Sequence, residues 1–251
     1  MRKPRRLAPD ELAPYEWHPP RRFSRWGVGE LRGKGQGARG EADPPGSDLP
    51  LAPCPSPLDW AALFGNAHPV EVEVGMGKGL FLVTQAAARP GANFFGIEVV
   101  RKYQLYAATR VAVRQLPNVK TTCADAKALF RDFIAPGSVA AVHVLFPDPW
   151  WKARHKKRRV FTPEFAADIA RSLPVGGELH VASDVAEYFG VMTGILRAMP
   201  AFRELTAETT AEGGYETNFE RKARAQGTPV GRARYARTAE AVTVAPDPAA
   251  G

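Results

Sequence analysis

At 251 residues, with 45% hydrophobic and 24% charged side chains, the chain has the length for one domain of ordinary size plus an appendage. A formal charge of +8 favours an acidic partner, nucleic acid ahead of a membrane surface. No apolar run nears the ~20 residues of a bilayer span, no apolar signal core follows the Arg/Pro-rich start, and the two cysteines lack metal-like spacing, so the expectation is a soluble cytoplasmic protein without a metal or a membrane contact.

Residues 1–57 hold eleven of the 23 prolines and no periodic apolar pattern, which predicts a basic, mobile arm rather than a packed unit. Its segment Arg21-Arg22-Phe23-Ser24-Arg25-Trp26 interleaves arginines and aromatics, as RNA contacts require, although a merely solubilising arm has the same composition. Residues 58–240 then read as the folded domain and 241–251 as a short tail.

Val70 to Val74 alternates like a strand and runs into Gly75-Met76-Gly77-Lys78-Gly79, after which Leu80 to Ala88 reads as a helix. Asn93 to Val99 is a second strand, Arg101 to Leu116 a helix broken by Pro117-Asn118, and Val119 to Cys123 a short strand. Ala126 to Phe133 is helical, Val139 to Phe146 an apolar strand, and Pro163 to Leu173 a helix begun by proline. Glu178 to Ser183 is the next strand and Val185 to Met199 the next helix. Strands alternating with helices predict a mainly parallel sheet covered on both faces, whose ligands bind beyond the carboxyl ends of the strands.

Glu73, Glu98, Asp125, Asp148 and Asp184 all fall at or beside such ends. Capping explains one or two acids there; five together outline a single site. The glycine turn lets backbone approach a ligand at a helix N-terminus. Gly79 stands where a P-loop needs Ser or Thr, and the third glycine comes one residue early for a dinucleotide fingerprint. An acid just before the glycines suits a cationic group. A ligand with an amine, ribose hydroxyls and an adenine edge would use Glu73, Glu98 and Asp125, a description that S-adenosylmethionine meets.

The stretch Val144 to Arg159 carries one carboxylate between two prolines, two tryptophans and six Lys/Arg side chains. Each proline disfavours helical backbone in the residue before it, so Phe146 and Asp148 are expected to be extended. A further Arg-rich run, Arg221 to Arg237, has Arg221, Lys222, Arg224, Arg232, Arg234 and Arg237 as phosphate candidates, about half of them expected to be paired internally or solvated. His143 and His180 lie inside apolar strands and read as core residues.

With these motifs in their order, the chain resembles the tRNA (guanine-N7)-methyltransferase family in its bacterial single-chain form. The resemblance rests on Glu73 to Gly79, Gly96-Ile97-Glu98-Val99, Asp125-Ala126, Phe146-Pro147-Asp148-Pro149-Trp150 with the following basic residues, Ala182-Ser183-Asp184, and Thr217-Asn218-Phe219-Glu220. It implies a Rossmann-like α/β fold of class I, with a seven-stranded, mainly parallel sheet and helices on both faces, S-adenosylmethionine as cofactor, and tRNA as partner, the chain being a monomer or homodimer. It further implies that Glu73, Gly75, Gly77, Glu98, Asp125 and Ala126 contact the cofactor and that Asp148 touches both cofactor and base. Lys152, Asp184, Thr217, Asn218, Phe219 and Glu220 would hold the guanine nucleotide, with Asn218 standing where the family usually has lysine. Arg154, Lys156, Lys157, Arg158 and Arg159 are the phosphate candidates. The reaction implied is methyl transfer to guanine N7, in the variable loop of tRNA. Two other readings remain: methylation of an exocyclic RNA amino group, and a non-catalytic RNA-binding protein on the same fold.

Overall fold

The computed structural model describes residues 7–19, 57–205 and 227–244, without the side chains of Ala153 and Lys156. Its helices are α1 (Pro9–Leu12), α2 (Trp60–Phe64), α3 (Leu80–Ala88), α4 (Arg101–Val113), α5 (Ala126–Phe133), α6 (Pro163–Ser172) and α7 (Ala186–Arg197). Its strands are β1 (Val70–Val74), β2 (Asn93–Glu98), β3 (Val119–Cys123), β4 (Ala141–Leu145), β5 (Glu178–Ser183), β6 (Phe202–Leu205) and β7 (Gly231–Arg237). The seven strands lie in the order β3-β2-β1-β4-β5-β7-β6. The first five are parallel, and β7 runs antiparallel between β5 and β6.

Local chemistry sets the element ends. Asp59 accepts the Ala62 N–H to start α2, and Asp125 accepts the Lys127 N–H at 2.8 Å to start α5. Thr162 accepts the Phe165 N–H ahead of Pro163 in α6. The alternation in V-E-V-E-V sends Val70, Val72 and Val74 into one core with Leu129, Phe130, Phe165, Ile169 and Met192 of α5 to α7. The opposite face is closed by a second core, in which Leu80, Phe81 and Val83 of α3 meet Ala107 and Val111 of α4. Both sheet faces are thereby covered, as parallel strands require.

The helix expected to reach Leu116 stops at Val113, because the chain turns through a left-handed Gln115 (φ 52°) before Pro117. The strand expected over 139–146 is shortened to 141–145. At its end Phe146 is left-handed (φ 53°) rather than extended: its N–H donates to Ala182 at 2.8 Å and its ring is buried with Met76 and Leu82, so the backbone turns outward while the side chain stays in. The strands β6 and β7 were not legible beforehand. In β7 the arginines of G-R-A-R-Y-A-R obscure an alternation that buries Tyr235 (1% exposed).

The arm also differs from expectation over residues 7–19, which pack on the edge strand β3. The Trp17 N–H donates to Thr121 O at 2.9 Å, and Thr121 Oγ1 donates to Tyr15 O. Glu16 accepts from Arg101 and Gln104 at 2.8 Å each, and Trp17 meets Phe95 and Phe133 edge-on. A docked tryptophan and a satisfied carboxylate hold this segment against its conformational entropy. The Arg21 to Trp26 segment lies outside the described residues.

Candidate active site at the carboxyl edge of the sheet

The strand order reverses between β1 and β4, the place where open α/β sheets bind ligands beyond the carboxyl ends of their strands. The glycine turn follows β1 at that edge. Gly75, Gly77 and Gly79 all have positive φ (73°, 52° and 66°), which only glycine adopts without strain. A Cβ on Gly75 or Gly77 would meet nothing within 4 Å, so these two line open space. Gly79 serves another purpose: a Cβ there would lie 2.8 Å from that of Ala107, so it lets α3 and α4 close up.

Two acids face the turn. Glu98, ending β2, accepts the Gly77 N–H at 2.9 Å on one carboxylate oxygen and the Val100 N–H at 2.8 Å on the other. Burial raises its pKa, the two backbone donors oppose that, and the charge of Asp148 adds to the rise. Glu73 is 4% exposed on β1, and its Oε2 has no hydrogen-bond partner among the described residues. Burial, then the nearby charge of Glu98, pushes its pKa up to about 8. A buried carboxyl oxygen without a donor costs about 1–3 kcal/mol, which a ligand cation would offset.

Asp148 is exposed on the loop after β4, and its charge is felt by both Glu98 and Tyr188. The loop is braced from beneath. Arg159 donates through Nε to Pro149 O at 2.7 Å, reaches Glu187 at 3.2 Å, and lies 4.6 Å from the Tyr188 ring centre. At 5% exposure this arginine is a strut of the loop, whereas the sequence had grouped it with the phosphate contacts. Tyr188, fully buried, accepts the Phe161 N–H, and burial pushes its hydroxyl pKa up to about 12. Neither the Arg159 brace nor Tyr188 was visible in sequence, because each depends on α7 packing under the loop.

Lys152, Arg154, Lys157 and Arg158 are exposed on or beside a 3₁₀ helix over Ala153–Arg158. Lys156 belongs to the same helix, its side chain outside the described atoms. Asp125 is half-buried beside Ala126 at the start of α5. Asp184 is exposed beyond β5 and caps nothing; the Val185 N–H donates instead to Ser183 Oγ at 3.1 Å. Thr217, Asn218, Phe219 and Glu220, with Arg221, Lys222 and Arg224, lie outside the described residues.

Of the arginines in the C-terminal run, Arg234 forms an ion pair with Glu178 at 2.8 Å, and Arg237 donates to Ala170 O and Glu240 O at 2.9 Å. Both therefore stabilise β7. Arg232 is exposed opposite Ala182, near the strand end. His143 and His180 are buried as expected. Together they make a polar seam across the sheet, with His143 Nε2 donating to Glu71 and His180 2.9 Å from Glu178. Burial lowers the His143 pKa to about 4, and the hydrogen bond to Glu71 opposes it.

S-adenosylmethionine fits the donor set. The orphaned Glu73 oxygen suits its ammonium group, the fixed Glu98 carboxylate retains lone pairs for ribose hydroxyls, and the glycine turn leaves room for close backbone approach. No cluster of His, Cys, Asp and Glu suited to a metal occurs among the described residues.

A family model described as "Putative methyltransferase" matches residues 67–233. The chain is 42% identical over 191 residues to the tRNA (guanine-N(7)-)-methyltransferase of Rhodopirellula baltica, covering 72% of this chain and 70% of that one. A protein of the same name from Bordetella pertussis is 42% identical over 159 residues, covering 63% of this chain and 61% of the relative. One from Geobacter metallireducens is 34% identical over 189 residues, covering 74% and 90%. Among solved structures, the 16S rRNA methyltransferase KamB aligns with a TM-score of 0.50 at 18% identity, over 74% of this chain and 92% of that one, a likeness of fold.

Proposed function

The chain belongs to the tRNA (guanine-N7)-methyltransferase family, and from that membership we propose that it transfers a methyl group from S-adenosylmethionine to N7 of a guanine in tRNA. The observation that carries this reading is the buried Glu73 carboxyl oxygen without a partner, beside an open glycine turn and on the same sheet edge as Asp148. A protein that only bound RNA would have no use for that costly carboxyl.

Bound at this edge of the sheet, the cofactor supplies a methyl group activated by its sulfonium. Guanine N7 has an unprotonated lone pair, so no residue has to remove a proton, and the chain's task is placement and charge. Asp148, exposed on the loop after β4, stabilises the positive charge that grows on the purine, the mirror image of an oxyanion hole. Its position is fixed through Pro149 by Arg159. Asp184 or Glu220 accepts hydrogen bonds from the guanine N1–H and amino group, which excludes adenine. Glu73 takes the cofactor ammonium, Glu98 the ribose and Asp125 with Ala126 the adenine edge. Lys152, with Thr217, Asn218 and Phe219, holds the guanine nucleotide, and Arg154, Lys156, Lys157 and Arg158 track phosphates. The target is a guanine of the variable loop, and the chain acts in the cytoplasm as a monomer or homodimer. Among the described residues, no helix is long and apolar enough to cross a membrane.

The test is incubation of the full chain with methyl-labelled S-adenosylmethionine and unmodified tRNA, followed by mapping of the labelled nucleotide. Label on guanine N7 in the variable loop is the expected result. Label on an exocyclic amino nitrogen would replace this reading with that of an amino-group methyltransferase, and cofactor binding without any label would favour a non-catalytic RNA-binding protein.

A further inference from the structure

The loop after Asp148 contains two consecutive tryptophans with opposite fates. Trp150 is half-buried, edge-on to His155 (5.7 Å between ring centres, 90° between planes), and the Arg158 guanidinium lies 5.1 Å from its ring centre. Its backbone is left-handed (φ 45°), a conformation that costs a bulky residue about 1–3 kcal/mol and persists only where the surroundings enforce it. Here they do. The Lys152 carbonyl accepts the His155 N–H at 2.7 Å, and Arg159 pins Pro149 from below. Trp151, the next residue, is then left 66% exposed, and it makes no ring contact or hydrogen bond with the other described residues. An indole is held out to solvent on a rigid pedestal.

Its neighbours define what it could meet. Lys152, Arg154, Lys157 and Arg158 are exposed in the residues that follow it, and no acid occurs between Pro149 and Arg159. An exposed π-face followed by a run of exposed cations matches a nucleotide, whose base stacks and whose phosphates pair. An acidic peptide would engage the cations and leave the indole idle. Asp148, by contrast, is felt by Glu98 and Tyr188 at the sheet edge, while Trp151 lies three residues further on, past the left-handed turn.

We propose that Trp151 is a stacking platform for the base that flanks the target guanine in the tRNA strand, holding that strand while Asp148 works on its neighbour. The inference rests on the methyltransferase reading and adds a strand-positioning element to it. The structure separates two tryptophans that are adjacent in sequence, Trp150 half-buried and Trp151 exposed.

The experiment compares the full chain with its Trp151→Ala and Trp151→Phe variants, measuring tRNA KM and kcat, tRNA Kd without cofactor, S-adenosylmethionine Kd and Tm. Trp151→Ala is expected to raise the tRNA Kd and KM by roughly 5- to 150-fold with kcat within about twofold, and Trp151→Phe to retain most of the affinity. Unchanged tRNA Kd and KM in Trp151→Ala would overturn the platform. So would a loss in kcat alone, which would put the indole on the reacting guanine, or a fall in Tm or cofactor affinity, which would make it a packing residue. If the wild-type chain methylates no tRNA, the functional reading fails, while the tRNA Kd still tests the platform.

Discussion

Glu73 shows how a single buried side chain couples stability to ligand binding. Folding raises its pKa from 4.5 to about 8 through burial and the charge of Glu98. Its carboxyl binds a proton more tightly in the folded state, so its contribution to stability is full below about pH 4.5 and is lost as pH rises through about 8. Glu71 behaves in the opposite sense: although burial alone would raise it, His143 and Arg89 hold its pKa down to about 2, so its contribution is present above about pH 4.5 and lost as pH falls through about 2. Glu73→Gln is therefore expected to raise the Tm of the cofactor-free protein more at about pH 8.5 than at about pH 6, and to weaken S-adenosylmethionine binding at both. Thermal melts and calorimetric titrations at the two pH values check this. An equal Tm change at both would show that Glu73 is ionised in the empty protein. Asp148→Ala should act on chemistry instead, lowering turnover by about 100-fold or more while the cofactor Kd changes by less than about threefold. Equal losses in both would remove Asp148 from charge stabilisation. That Glu73, Glu98 and Asp148 share one edge of the sheet was legible from acids at predicted strand ends. That Glu73 is orphaned and Arg159 braces the loop was not, since both facts arise from three-dimensional neighbours.

At the scale of elements, the basic block divides by direction. Lys157 and Arg158 are exposed, the latter beside the Trp150 ring, whereas Arg159 turns under the loop to Pro149 and Glu187. Lys157→Ala is expected to lower the salt slope of tRNA binding by roughly 0.7–0.9 with little effect on Tm. Arg159→Ala should lower Tm by leaving Pro149 O and the Tyr188 face without their partner, and Arg159→Lys should not restore it, because an ammonium cannot brace both. Melting curves and affinities across a salt series separate the two kinds of arginine. The glycine turn offers a second check. Gly79→Ala places a methyl 2.8 Å from Ala107 Cβ at a positive φ, so the α3–α4 packing should lose about 2 kcal/mol in denaturant unfolding. Sequence placed that turn correctly between β1 and α3, where a period of two gives way to a helical pattern. It missed β7, where charge concealed the alternation.

For the whole molecule, the parallel part of the sheet was readable because each strand is followed by a helix of distinct pattern. The edges were not. Residues 7–19 looked like part of a mobile arm, yet they cover β3 through the Trp17 and Thr121 backbone pairing. At the other side, β6 pairs with β7 and β7 alone joins it to β5. The order of strands in space therefore departs from their order in time during synthesis. When β6 leaves the ribosome it has no neighbour to pair with, and β5 ends in an open edge until Gly231–Arg237 arrives and threads between them. The nascent chain carries an open β5 edge over the stretch made between Ser183 and Gly231, exposed to mispairing, and the last strand closes the sheet in one late step.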